Sequence, residues 1–168
     1  GQAGTGTGQG MLLVLICFVG LVVAGCVGLA IYVRAAPSDP DRWHVDPLTV
    51  SAPDFPGHYL VRPSGGSTTG PGFDMTPGRL LQEFHRVATS APRTEVLAGS
   101  VEAGHVTYVT RSAIIGFPDY VSVKAVEDDD GARLAVFSRL RFGRADLGVN
   151  RDRIERWMAE IEAGRAGG

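Results

Sequence analysis

The pattern of apolar and polar positions divides the chain in two. Residues 11 to 33, MLLVLICFVGLVVAGCVGLAIYV, carry no charged side chain. At about 1.5 Å per residue a helix over them is roughly 34 Å long, enough to cross a hydrocarbon core. After Arg34 charged residues return and the apolar positions become periodic. A helix is predicted over 77–89: Thr76 caps it, Pro77 suits its first position, and Leu80, Leu81, Phe84, Val87 and Ala88 form one face ahead of Pro92. From Thr94 the alternation has a period of two, which predicts strands over 94–102, 105–113, 119–127 and 132–141. Ala103-Gly104 and the run Asp128 to Gly131 are the hairpin turns. A last helix is predicted over 151–163, with Asn150 as its N-cap and Val149 stapled to Ile154. Ile154, Trp157, Met158 and Ile161 form its buried face, and Gly164 ends it.

Between these halves, residues 34–63 hold Pro37, Pro40, Pro47, Pro53, Pro56 and Pro63, a density that excludes a long helix and predicts an extended strap. Trp43, Val45, Leu48, Phe55, Tyr59 and Leu60 would anchor that strap on the folded body. Residues 64–75, beginning SGGSTTGPG, read as a flexible loop, and residues 1–10, GQAGTGTGQG, as a flexible tail. The expected architecture is α+β: a transmembrane helix, then a core over 76–163 in which a four-stranded antiparallel sheet is packed by two helices.

The apolar run reads as a retained bilayer anchor, because it is longer than a signal peptide's and continues up to Arg34. The rival is Val23-Ala24-Gly25-Cys26, which has the form of a bacterial lipobox and would make Cys26 a lipidated N-terminus. Against it, no Lys or Arg precedes the run, and Val27 to Val33 are still apolar. Gly20, Ala24 and Gly28 recur every four residues, a spacing that would allow close self-association or a membrane partner; ordinary glycine and alanine content in a span is the preferred explanation. Cys17 and Cys26 lie about 13 Å apart along one helix and cannot pair. Arg34 and Arg42 follow the span, and by the positive-inside rule they would keep the domain in the cytoplasm. The chain begins at Gly1 rather than Met, so the count upstream of the span carries little weight. The expectation is a single-pass protein of a bacterial inner membrane with its domain outside the cytoplasm.

A formal charge of −2 speaks against a general nucleic-acid binder. Of the basic residues only Lys124 is a lysine, a bias in which no function is read. The acidic turn Asp128-Asp129-Asp130-Gly131 lacks the alternating frame of a calcium loop. His44, His58, His85 and His105 show no zinc spacing, no nucleophile elbow surrounds Ser138, and no phosphate loop joins a strand to a helix. No metal and no cofactor is expected. If the second hairpin closes at Glu127 and Ala132, Val121, Val123 and Ala125 share a buried face with Ser138, Val136 and Leu134. Tyr120, Ser122, Lys124, Phe137, Arg139 and Arg141 then line the other face, as a bed for the strap or as a ligand surface.

Five arginines stand in SRLRFGRADLGVNRDRI at 138–154. With DRWHVDPLTV at 41–50, PRTEVLAGS at 92–100, RS at 111–112 and FPDYVSV at 117–123, this segment resembles the bacterial family called domain of unknown function 1499. The resemblance implies a small domain, often behind an N-terminal membrane segment, and brings no catalytic residue. The residues themselves leave two readings open. In one, Asp146 and Gly148 make the turn, Asn150 caps the helix, and Arg139 or Arg141 pairs with Asp119 or Asp146, with Tyr120 beside them. In the other, Arg111, Arg139, Arg141 and Arg144 outnumber the local acids and hold a carboxylate, a phosphate or a protein partner. The function expected is a membrane-anchored binding or assembly module. The alternative is a hydrolase using His44, paired with Asp46 two residues on, and an unidentified acid or nucleophile.

Overall fold

A computed structural model describes the backbone of residues 5–166. It falls into two units, residues 1–36 and 37–168. The first is a single helix, α1 (Thr5–Ala35). Its segment Gly8–Ala35 is long and apolar enough to cross a membrane by length and composition. Apolar side chains from Met11 to Tyr32 lie exposed on all its sides, rather than in the single stripe of a helix that packs on a core. Gly20, Ala24 and Gly28 all lie on it. Residues 5–10, expected as tail, are helical: the backbone hydrogen bonds of the apolar run extend back through them without a breaker other than glycine. Residues 1–4 of that expected tail lie outside the described residues.

The second unit corrects the strand count. Its sheet has six strands, not four, because the strap and the loop each contribute one. In chain order the elements are α2 (Pro40–Trp43), β1 (His58–Val61), β2 (Gly72–Phe73), α3 (Pro77–Ser90), β3 (Thr94–Ser100), β4 (His105–Arg111), β5 (Pro118–Asp128), β6 (Gly131–Leu140) and α4 (Val149–Ala166). All named strand pairs are antiparallel, in the order β1-β6-β5-β4-β3, and β2 adds to β6 beside β1. β1 is an edge strand four residues long between Pro56 and Pro63, short enough that neither proline interrupts its ladder.

The β5–β6 register is Val121↔Ser138, Val123↔Val136 and Ala125↔Leu134, as the alternation predicts. At the turn Asp128 is ion-paired to Arg133 at 2.6 Å. The β3–β4 hairpin is less regular: Val101 to Gly104 form its turn, and the register shifts between Val96 and Ala98. As a result Thr94 faces Thr110, and the β4–β5 register then sets Thr110 against Asp119.

One face of the sheet presents Tyr59, Val61, Val106, Tyr108, Val121, Val123, Leu134 and Val136 to α3 and α4. α3 is capped by Thr76, whose hydroxyl accepts from Arg79 N, and buries Leu80, Leu81, Phe84, Val87 and Ala88. α4 buries Ile154, Trp157, Met158 and Ile161, with Trp157 edge-on to Phe84 at 5.6 Å. Each large side chain so buried contributes about 1.5–3 kcal/mol, which makes this layer the main source of stability. The strap covers the opposite face, so the domain has three layers.

Candidate functional site

The strap is laced down by arginines that donate to its main-chain carbonyls. Arg62 Nη1 donates to Leu48 O at 3.0 Å and to Val50 O at 3.1 Å. Arg141 Nη1 donates to Pro37 O at 2.8 Å and to the Tyr120 hydroxyl at 3.2 Å. Arg139 is 4% exposed; it donates to Trp43 O, to Ser122 Oγ at 3.0 Å and to Phe137 O at 2.9 Å. Trp43 stacks on Tyr120 at 4.0 Å, and the Arg139 guanidinium sits 5.7 and 5.9 Å from those two ring centroids and 4.7 Å from that of Phe137. Aromatic faces and carbonyl dipoles thus take the place of a carboxylate. Burial pushes the Arg139 pKa down, to about 9, which leaves it cationic at neutral pH.

The two histidines of this layer stack at 3.8 Å, His44 on His105. His44 Nδ1 is 2.8 Å from Thr107 Oγ1, which is 2.9 Å from Ser122 Oγ, so the polar groups form one chain to Arg139. His105 Nε2 donates to Val45 O at 3.1 Å. Gly99 makes the close approach of the strap feasible: at its φ of +77°, a Cβ would lie 2.8 Å from His44 Cε1. Burial, then the charges of Lys124 and Arg139, pushes the His44 pKa down. Burial, then His44 and Lys124, does the same to His105, against smaller opposing effects of Val45 O and Asp46. Asp46 is paired to Lys124 at 2.5 Å, so the His44–Asp46 pair of the hydrolase alternative does not form. Thr107 and Ser122 are fully buried, which ties their hydroxyls to the strap contact.

At the joint between β6 and α4 the expected roles move by a few residues. Asp146, not Asn150, caps the helix: its carboxylate accepts from Gly148 N at 3.1 Å and Asn150 N at 2.8 Å. Gly148 carries the turn at φ +86°, and its carbonyl takes the first helical bond, from Asp152 N. Asn150 lies inside the first turn and is fully buried. Its amide donates to Asp146 at 2.6 Å, while its oxygen accepts from Ser138 Oγ at 2.5 Å and Arg153 Nη1 at 3.0 Å. These bonds to Asp146 outweigh its partial burial and hold its carboxyl below the ordinary value. Val149 is half exposed, so it makes no buried staple. Asp119 is paired with Arg153, at 2.8 Å, and not with Arg139 or Arg141, which are spent on the strap. Burial, aided by Asp146, raises the Asp119 pKa in spite of Arg153.

Arg111, the third nominated arginine, lies elsewhere. It lines a cleft of about 240 Å³ with Arg93, Arg153 and Arg156, the hydroxyls of Thr94, Thr110 and Ser112, and Asp119 as the sole carboxylate. Trp157 and Val149 are its apolar lining from α4, and Ala91 and Pro92 close it at the end of α3. Four guanidinium groups face one carboxylate, and Arg153, 8% exposed, uses that carboxylate up. Arg93 Nε donates to Arg111 O at 3.1 Å, and Arg93 holds φ at +57°, a conformation that costs a residue with a side chain about 1–3 kcal/mol. The remaining contact of Arg111, to Gly116 O, is a long 3.5 Å. Arg156 is exposed and has no hydrogen-bond or ion-pair partner among the described residues. Arg144, the fourth nominated arginine, is exposed in the turn after β6 and likewise lacks a partner among the described residues.

Such a cleft concentrates positive potential. Its volume is about eight waters' worth, below the roughly 300 Å³ at which drug-sized ligands fit, and suits a phosphate or carboxylate group. Sequence reasoning found Arg111 and missed Arg93, Arg153 and Arg156. The spacing of Arg153 and Arg156 on one helix face was a usable signal; the placement of Arg93 opposite Arg111 was not.

A long apolar helix followed by an α+β domain with an antiparallel sheet, two helices on one face and an arginine-laced strap on the other defines the class of protein. The sequence profile described as "Protein of unknown function (DUF1499)" matches residues 35–161, and the chain belongs to that family. No curated protein and no solved structure matches the chain.

Proposed function

We propose that this chain is a membrane-anchored binding module whose domain holds an anionic group in the cleft of Arg93, Arg111, Arg153 and Arg156. One observation carries the reading: Arg93, Arg111 and Arg156 line that cleft without a carboxylate of their own, because Arg153 takes Asp119. Arg93 and Arg111 each donate to a single carbonyl, and Arg156 has no partner among the described residues, whereas Arg139 is bonded to three acceptors. The length and uniform apolarity of α1 support its role as a bilayer anchor. We take the domain to lie outside the cytoplasm of a bacterium, a placement that a reporter fused after Gly168 and active only in the cytoplasm would overturn.

The test uses the full chain in a neutral detergent, titrated in parallel with inorganic phosphate and with dioctanoyl phosphatidylglycerol. Saturable binding of either probe, weakened by Arg111→Gln or Arg156→Gln, is expected. Absence of binding by both, or binding indifferent to both substitutions, overturns the anion site. Alkaline carbonate extraction tests the anchor: release of the full chain into the supernatant would exclude a span.

A further inference from the structure

We infer that the anion held in this cleft is the headgroup phosphate of an anionic lipid, presented by a bilayer surface that the same end of the domain touches. The inference rests on the anion-binding reading above and adds the source of the anion. Three features of the second unit converge on it.

The first is where the cleft opens. Arg93 and Thr94 precede and begin β3, Thr110 and Arg111 end β4, and Asp119 lies at the start of β5, so the cleft belongs to one end of the sheet. The chain enters the domain at that end, on the opposite face. Pro37 O is held by Arg141 just past the end of β6, and Ser38 Oγ is 2.8 Å from the hydroxyl of Tyr120 at the start of β5.

The second is a pair of apolar loop tips. Leu147 is 98% exposed and Ile114 86% exposed. Each lies two residues from a residue that lines the cleft, Leu147 from Val149 and Ile114 from Ser112. Leu147 also holds φ at +53°. A solvated turn would favour glycine or asparagine there on both counts, since leucine in that position gains no burial and strains the backbone. An apolar environment supplied from outside the domain accounts for it.

The third is charge. Arg93, Arg111 and Arg156 in the cleft and the unpartnered Arg144 in the loop of Leu147 place cations around the apolar tips. Apolar tips and cations at the same end of the sheet match the composition of a membrane-surface contact, where phosphates lie just outside the acyl boundary. A soluble anion would use the arginines and give no reason for the exposed, left-handed Leu147.

The experiment compares three probes on the full chain in neutral detergent: dioctanoyl phosphatidylglycerol, dioctanoyl phosphatidylcholine and inorganic phosphate. Binding is read by native mass spectrometry for the lipids and by thermal shift for all three. Phosphatidylglycerol is expected to bind at least about tenfold more tightly than either other probe, and Arg156→Gln to lose about tenfold, the loss that one charge-assisted hydrogen bond represents. The double variant Ile114→Ser/Leu147→Ser, both positions being exposed, is expected to fold normally and to weaken phosphatidylglycerol while leaving phosphate unaffected. Phosphate binding as tightly as phosphatidylglycerol, with no effect of the double variant, overturns the lipid source and keeps the anion site. Phosphatidylglycerol binding that survives Arg156→Gln and Arg111→Gln undiminished is lipid held elsewhere on the chain, and overturns both; so does no binding of any probe.

Discussion

Two groups of arginines in this domain have opposite fates. Arg62, Arg139 and Arg141 turn their guanidinium groups onto carbonyls of the strap, neutral acceptors supplied by the chain itself. Arg93, Arg111 and Arg156 surround a cleft in which the only carboxylate is already taken. The five-donor fork that makes arginine good at stapling an irregular segment also makes it good at gripping phosphate. What separates the two uses is how fully the fold supplies acceptors to the fork. Under the strap Arg139 meets three; in the cleft Arg93 and Arg111 meet one carbonyl each, and Arg156 meets none among the described residues.

That contrast breaks first, and hardest, at Arg139. Arg139→Gln strands Trp43 O, Phe137 O and Ser122 Oγ beneath the strap, and an expected loss of about 3 kcal/mol should appear as a lowered urea midpoint of the full chain. Asn150→Ala, which removes three side-chain bonds at the joint, two of them buried, should cost about 2 kcal/mol in the same assay, and loss of the cap in Asp146→Ala about 1 kcal/mol. If the nominated arginines and these joint residues all give equal losses, the division into two groups fails.

Acidification provides a gentler probe of the strap. His44 and His105 have folded-state pKa values below those of the unfolded chain, so between the two values the unfolded chain binds protons that the folded one does not. Their contribution is therefore present above about pH 6.5 and is lost progressively as pH falls below it. Thermal melts from pH 7.5 downward should show this decline, with a shallower slope in His44→Gln. An unchanged slope would remove the histidine stack from the strap's stability.

The cleft and its rim should respond in the other direction or not at all. Leu147→Gly relieves a left-handed leucine and is expected to raise stability by about 0.5–1 kcal/mol in chemical unfolding. Arg156→Gln should change stability by less than about 0.5 kcal/mol while weakening anion binding, which makes it the sharpest separation of folding from recognition. A large destabilisation by Arg156→Gln would place the cleft arginines with the structural ones.

The sequence disclosed these features unevenly, for physical reasons. The β5–β6 register was legible because the alternation runs without interruption into a short acidic turn. The β3–β4 register was not, because a longer turn and the irregularity between Val96 and Ala98 both displace it, and Arg93 meets Arg111 only after those displacements. β1 escaped notice because four residues between prolines are too few to show a period. Asn150 has the residue type of a cap, yet Asp146, four positions earlier, accepts from the Asn150 amide itself and carries the charge that a helix N-terminus favours. Tyr120 and Arg139 were correctly placed opposite one another, but alternation alone does not say whether the strap or a ligand covers them.

The strap also sets an order in time. Trp43 is made early in translation, and the guanidinium that holds its carbonyl lies 96 residues further along the chain. β1 waits equally for β6, the last strand to be made and its neighbour in the sheet. The stretch that follows the apolar helix therefore emerges from the ribosome long before its binding surface exists. Non-local pairings of this kind slow folding and leave strand edges unprotected meanwhile. During biogenesis the segment nearest the apolar helix thus stays unpaired until β6 has been made.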